Sequence, residues 1–95
     1  MNTDELARRL KEVAYREGDF VLRSGRKSHY IIDKFAFETR PGLLREIARA
    51  LAAMVPSDTD RLAGVELGGV PLVTAVSLET GLPFVIVRKG QKGHG

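Results

Sequence analysis

A strand, a glycine-rich turn, a helix and a second strand follow one another in the second half of the chain, and this order constrains the fold most. The apolar run at residues 62–65 leads into the turn at residues 66–71, the helical stretch at residues 71–80 and the apolar run at residues 84–87. Gly81 is placed to end the helix in the left-handed conformation that glycine adopts readily. Two strands joined by a crossover helix lie parallel. The order therefore predicts a βαβ unit whose second strand is buried.

Two further helices are predicted ahead of this unit. Asn2 is a good helix-capping residue, and apolar side chains recur on one face after it. We expect this first helix to end at Gly18. The second helix is predicted to begin at Pro41, because proline suits the first turn of a helix, and to stop at Pro56.

Between these helices, two short runs rich in aromatic and β-branched residues predict a β-hairpin. The runs cover residues 20–23 and 30–33, and the basic connection at residues 24–29 is long enough for its side chains to reach a ligand. A chain of 95 residues has room for a single domain. The predicted fold class is therefore α/β, with a helix, a hairpin and a βαβ unit.

Two clusters of cations without acidic neighbours indicate an anionic ligand. The net charge of +3 is mild, so its uneven distribution is more informative than its size. One cluster occupies residues 23–27, and the other is the glycine-spaced run at residues 88–95. Since ligands of open α/β sheets bind beyond the carboxyl ends of the strands, we expect residues 66–69 and 88–95 to face one crevice. This favours a small phosphorylated ligand over an extended nucleic-acid surface.

Composition excludes several classes of site, while the residues alone leave other interpretations open. The chain has no cysteine, which excludes disulfides and thiolate chemistry, and His29 and His94 lack partners spaced for a metal site. Its beginning is polar and acidic, and no stretch is long and apolar enough for a membrane span, so we expect a cytoplasmic protein. The hairpin cluster could still be a solvated turn, the cationic end a frayed terminus, and the glycine pair a purely structural turn.

Three blocks of the chain, in this order, resemble orotate phosphoribosyltransferase of the type I phosphoribosyltransferase family. They are residues 22–28, 64–71 and 88–95, of which the last, RKGQKGHG, is the most distinctive. The resemblance implies the N-terminal half of that enzyme and the first half of its parallel sheet. Residues 1–40 would then be the helix and hairpin beside the substrates. Residues 41–95 would begin the core sheet and contain a flexible catalytic loop.

The resemblance also implies an activity. The family transfers a phosphoribosyl group from 5-phosphoribosyl 1-diphosphate to orotate, giving orotidine 5′-phosphate and diphosphate in pyrimidine (UMP) biosynthesis. It implies Mg²⁺ bound through the diphosphate substrate, and a homodimer that shares the loop across its interface. We expect the 95 residues to be inactive without the other half, in the same or a second chain. The alternative is a non-catalytic module of this fold that binds nucleotides or RNA.

Residue roles follow from the same resemblance. It implies that Lys92 and His94 are catalytic and that Ile31 and Ile32 pack against orotate. The residues implied to bind 5-phosphoribosyl 1-diphosphate are Arg23, Leu67, Gly68, Gly69, Arg88, Lys89, Lys92 and His94. The chain departs from the pattern in that many relatives have a lysine where Gly68 stands and aromatic residues where Ile31 and Ile32 stand.

Overall fold

The computed structural model describes residues 1–90 and contains four helices and four strands in that range. The strands β1 (Tyr15–Val21) and β2 (Lys27–Ile32) form an antiparallel hairpin. The strands β3 (Leu62–Val65) and β4 (Phe84–Val87) form a parallel pair that the helix α4 (Gly69–Thr80) connects. This confirms the predicted α/β class and the βαβ unit. The elements, in chain order, are α1 (Thr3–Ala14), β1 (Tyr15–Val21), β2 (Lys27–Ile32), α2 (Lys34–Glu38), α3 (Pro41–Ala52), β3 (Leu62–Val65), α4 (Gly69–Thr80) and β4 (Phe84–Val87).

The first helix begins as predicted and ends earlier. The side chain of Asn2 accepts a hydrogen bond from the N–H of Glu5 (2.8 Å) and donates one to the Glu5 carboxylate (3.0 Å), which caps the helix reciprocally. The prediction that Gly18 ends the helix is wrong. The chain passes directly from Ala14 into β1, because Tyr15 and the residues after it pair with β2. Gly18 lies inside that strand, where the pairing register shifts.

The hairpin is confirmed, with longer strands and a shorter turn than predicted. Residues 22–26 close it. The short helix α2 that follows was not predicted, because its five residues are too few to show a helical repeat. The next helix begins at Pro41 as predicted and ends at Ala52, ahead of Pro56. Gly81 ends α4 with a φ of 77°, also as predicted.

The core is small and lies between the first and third helices. Leu6 of α1 packs against Leu43 and Ile47 of α3, and Phe37 of α2 and Leu72 of α4 contact this cluster. The prediction of a buried β4 is wrong for the described residues: three of its four residues are exposed. The reason is that, within residues 1–90, α4 is the element with extensive contacts to the parallel pair. None of the helices in this range is long and apolar enough to cross a membrane.

Candidate anion-binding site

The loop between β3 and α4 lies close to the strand because Gly64 has no side chain. A Cβ atom added to Gly64 would lie 2.5 Å from Cγ1 of Val73 and 2.7 Å from the carbonyl oxygen of Gly69. Real Cβ contacts are essentially never shorter than 3.0 Å. Gly64 therefore allows the first turn of α4 to lie directly on β3, and this fixes residues 66–69 at the carboxyl end of the strand.

The backbone of this loop presents free donors. The peptide bond between Glu66 and Leu67 is cis, and the N–H of Glu66 donates to the carbonyl of Val87 (2.9 Å). By contrast, the N–H groups of Leu67, Gly68 and Gly69 donate to no other group within residues 1–90. Unpaired N–H groups where a helix begins are suited to bind phosphate oxygens.

The cations that follow β4 lie beside this loop. The backbone N–H of Lys89 donates a hydrogen bond to Oε1 of Glu66, 23 residues away in sequence. Together with the bond between Glu66 and Val87, it joins the two loops at the carboxyl edge of the parallel pair. Lys89 and the glycine loop thus lie side by side at this edge.

A cavity of about 400 Å³ opens at this edge. Its charged lining consists of Glu66, Lys89 and Lys34, and the backbones of Gly68 and Gly69 contribute to its wall. The remaining lining residues are mainly apolar. Two lysines and one glutamate in this lining give a net positive charge, so the cavity suits an anion.

Lys34 is a charged lining residue that the sequence did not predict. It is the first residue of α2, a helix that packs against α1 and α3, and its side chain reaches Gly68 in the cavity wall. Its position depends on three-dimensional packing, so no local motif pointed to it.

The other predicted site residues within residues 1–90 are not among the residues that line the cavity. Leu67 and Arg88 are exposed neighbours of lining residues, and Arg23 lies in the exposed hairpin turn. Ile31 and Ile32 lie in β2, paired with β1. Their roles in binding stay predictions.

Two predicted catalytic residues, Lys92 and His94, lie outside the described residues. Within residues 1–90, no group of three or more histidine, aspartate or glutamate side chains is placed to hold a metal ion. The described side of the site therefore offers cations and backbone donors.

A buried acid lies one helical turn after Lys34. Glu38 is 3% exposed, and neither of its carboxylate oxygens has a hydrogen-bond partner among the described residues. Burial raises the pKa of Glu38, and the nearby charge of Lys34 opposes this effect only in part. The charge of Lys34 is thus not neutralised by a contact with this acid.

Comparison with known proteins shows which enzymes the chain resembles. It is 49% identical over 92 residues to the orotate phosphoribosyltransferase of Methanocella arvoryzae, a match that covers 96% of this chain and 53% of the relative. Over nearly its whole length, the chain is similar to orotate phosphoribosyltransferases. No protein-family model matches it. The chain spans about half the length of the curated relatives it matches.

Solved structures agree with this resemblance. The fold matches the UMP synthase of Leishmania donovani with a TM-score of 0.84 at 31% identity, covering 96% of this chain and 21% of that one. It matches orotate phosphoribosyltransferase from Aeropyrum pernix with a TM-score of 0.76 at 34% identity, covering 95% of this chain and 53% of that one. The predicted resemblance and the partial type I phosphoribosyltransferase fold are thereby confirmed.

Proposed function

We propose that the full-length protein transfers a phosphoribosyl group from 5-phosphoribosyl 1-diphosphate to orotate, giving orotidine 5′-phosphate and diphosphate in pyrimidine biosynthesis. The observation that carries the proposal is the meeting of the glycine loop and Lys89 at one sheet edge, beside an anion-suited cavity. The names of the relatives support the choice of orotate as acceptor.

The described residues suit the chemistry of this transfer. Breaking the bond between ribose C1 and diphosphate builds negative charge on the leaving group. We expect the N–H groups of residues 67–69, which have no partner within residues 1–90, and the side chain of Lys89, a lining residue, to stabilise that charge. We expect Lys92 and His94 to add cationic donors to the same end of the substrate, since they continue the segment that begins at Arg88.

Magnesium fits this arrangement as an ion carried by the substrate. Glu66 is the one carboxylate among the lining residues, and its Oε1 already accepts from Lys89. Mg²⁺ often binds through substrate phosphates and one or two carboxylates, with water completing its octahedron. When bound to the diphosphate, it would neutralise charge on the leaving group.

The proposal extends to assembly and location. We infer a homodimer in which the segment that includes residues 88–95 reaches across the interface. We also infer a cytoplasmic protein. A cross-linking or light-scattering measurement of the full-length protein tests the first, and fractionation of cells tests the second.

The activity is tested with the full-length gene product. Orotate, Mg²⁺ and 5-phosphoribosyl 1-diphosphate are mixed with the protein, and loss of orotate absorbance is followed together with formation of orotidine 5′-phosphate. Reactions without 5-phosphoribosyl 1-diphosphate serve as the control. An unchanged orotate signal would contradict the proposal. Salt-sensitive binding of RNA in that case would favour the non-catalytic module.

A further inference from the structure

We propose that Lys34 binds the diphosphate group in this site and that Gly68 provides the space its side chain occupies. The inference rests on the proposed function for the identity of the ligand. Its geometric part, a cation from α2 placed over the glycine loop, stands on the structure.

The side chain of Lys34 occupies the place of a side chain at position 68. A Cβ atom on Gly68 would lie 2.6 Å from Cε of Lys34 and 2.8 Å from its Nζ. The backbone of Gly68 does not require glycine, because its φ of −64° and ψ of −24° are ordinary helical values. The end of the Lys34 side chain therefore fills the space that a side chain at position 68 would take.

The ammonium of Lys34 has few partners among the described residues. Among residues 1–90, it forms no ion pair with any carboxylate within 4.0 Å. Its described partner is the ring of Phe35, 5.9 Å from Nζ to the ring centroid, which is close to the limit for a cation–π interaction. Most of its capacity to bind an anion is unused.

Lys34 and the loop converge on one anion with several oxygens. The ammonium lies against Gly68, whose N–H is free along with those of Leu67 and Gly69. Lys89 is a second cationic residue in the lining of the same cavity. A diphosphate, with its high charge and many acceptor oxygens, can use both cations and the backbone donors at once.

The start of α2 is anchored, which distinguishes Lys34 from a freely moving surface lysine. The N–H of the preceding residue, Asp33, donates to the carbonyl of Ala14 (2.8 Å), and its carboxylate lies 3.6 Å from the guanidinium of Arg16. Phe37, on the same helix, packs against the core. The backbone that carries Lys34 is thus held from both sides.

The first test measures binding of inorganic diphosphate with Mg²⁺ to the full-length protein by calorimetry. Lys34→Met keeps the length of the side chain and removes its charge, and we expect the Kd to rise about tenfold because a charge-assisted contact is lost. Lys11→Met is the matched control, since Lys11 lies on α1 outside the cavity lining. Its Kd should stay within about twofold of the unsubstituted protein.

The second test exploits the contact between the two positions. Gly68→Ala should displace Lys34 and raise the Kd severalfold, although alanine suits the backbone there. The double variant Lys34→Ala with Gly68→Lys clears the space beside the loop, returns a cation to it and should recover most of the lost affinity. A merely structural role for Lys34 would not produce this rescue. If Lys34→Met fails to fold, Gly68→Ala decides the question.

The outcomes separate this inference from the proposed function. Unchanged diphosphate binding in both Lys34→Met and Gly68→Ala would overturn the role of Lys34, even if the protein consumes orotate. Conversely, diphosphate binding that depends on Lys34 in a protein that does not consume orotate would overturn the proposed reaction and support the inference.

Discussion

The hairpin turn and the edge of the βαβ unit are both glycine-containing cationic segments, but they are bonded to the rest of the protein differently. At the βαβ edge, the N–H of Lys89 is bonded to Glu66, and Gly64 lets α4 lie on β3. In the hairpin turn, the described backbone bonds are local: the N–H of Leu22 donates to Arg26 O and that of Gly25 to Leu22 O, both at 2.8 Å. A long-range hydrogen bond and close packing, rather than the number of cations, therefore distinguish the βαβ edge from the hairpin turn.

The largest effect is expected at Gly64, where the attachment of the βαβ edge begins. Gly64→Ala forces a methyl group against Val73 and the carbonyl of Gly69. We expect the free energy of unfolding to fall by about 3 kcal/mol, the upper part of the usual range for overpacking. Urea denaturation measures it. Gly42→Ala is the control, because nothing lies within 4 Å of a Cβ there, and equal losses in the two variants would contradict the packing argument.

The sequence was sufficient for the elements that carry a regular repeat or a clear terminator. The helices that begin at Thr3 and Pro41 show an apolar face, and Gly81 supplies the left-handed residue that ends α4. The exposure of β4 could not be predicted from its composition, because an apolar run indicates a strand without indicating what covers it. Gly18 was misread because the pairing of β1 with β2 overrides a local helix-ending signal.

The candidate site was predictable where it follows from topology. Parallel strands bring their carboxyl ends together, and this suffices to place Gly68 and Lys89 in one cavity. The contribution of Lys34 depends on how a five-residue helix packs against a loop 34 positions later (Gly68 against Lys34). No periodicity or motif in the sequence encodes that contact.

The next prediction compares one lysine from each region by its effect on the KM of the full-length protein for 5-phosphoribosyl 1-diphosphate. Lys89→Met removes the charge of a residue that lines the cavity, and we expect the KM for 5-phosphoribosyl 1-diphosphate to rise about tenfold. Lys27→Met removes an exposed charge from the hairpin and should change it less than about twofold. Steady-state kinetics at fixed orotate concentration measures both. Similar increases of KM in the two variants would contradict the difference between the two regions. They would indicate that the hairpin lies beside the substrate.

A smaller effect is expected from the glycine in the hairpin turn. Gly25 has a φ of 88°, and a Cβ on it would meet no atom within 4 Å. Gly25→Ala should therefore lower the free energy of unfolding by about 1.5 kcal/mol through backbone strain alone. Thermal unfolding measures this loss. A loss as large as that of Gly64→Ala would show that the turn packs against another part of the protein.

The smallest effect concerns Glu38, a buried acid in α2 between the two regions. Its folded-state pKa is raised above its ordinary value near 4.5 by burial, so the folded state binds its proton more tightly than the unfolded state. The carboxylate therefore destabilises the fold fully above the raised pKa, and this penalty fades as pH falls toward 4.5. Glu38→Gln should raise the free energy of unfolding by about 1 kcal/mol at pH 8 and by progressively less at lower pH.

Asp19→Asn, in the hairpin, provides the matched control for this pH dependence. Asp19 and its neighbour His29, 3.9 Å away between Oδ1 and Nδ1, are both fully exposed, so their interaction is screened by water and contributes little. We expect no measurable change in the denaturation midpoint of this variant at any pH between 5 and 8. Equal pH dependences in the two variants would mean that burial does not set the behaviour of Glu38. A gain confined to Glu38→Gln at high pH would show that charge matters for stability where α2 enters the core, while the charges of the hairpin do not.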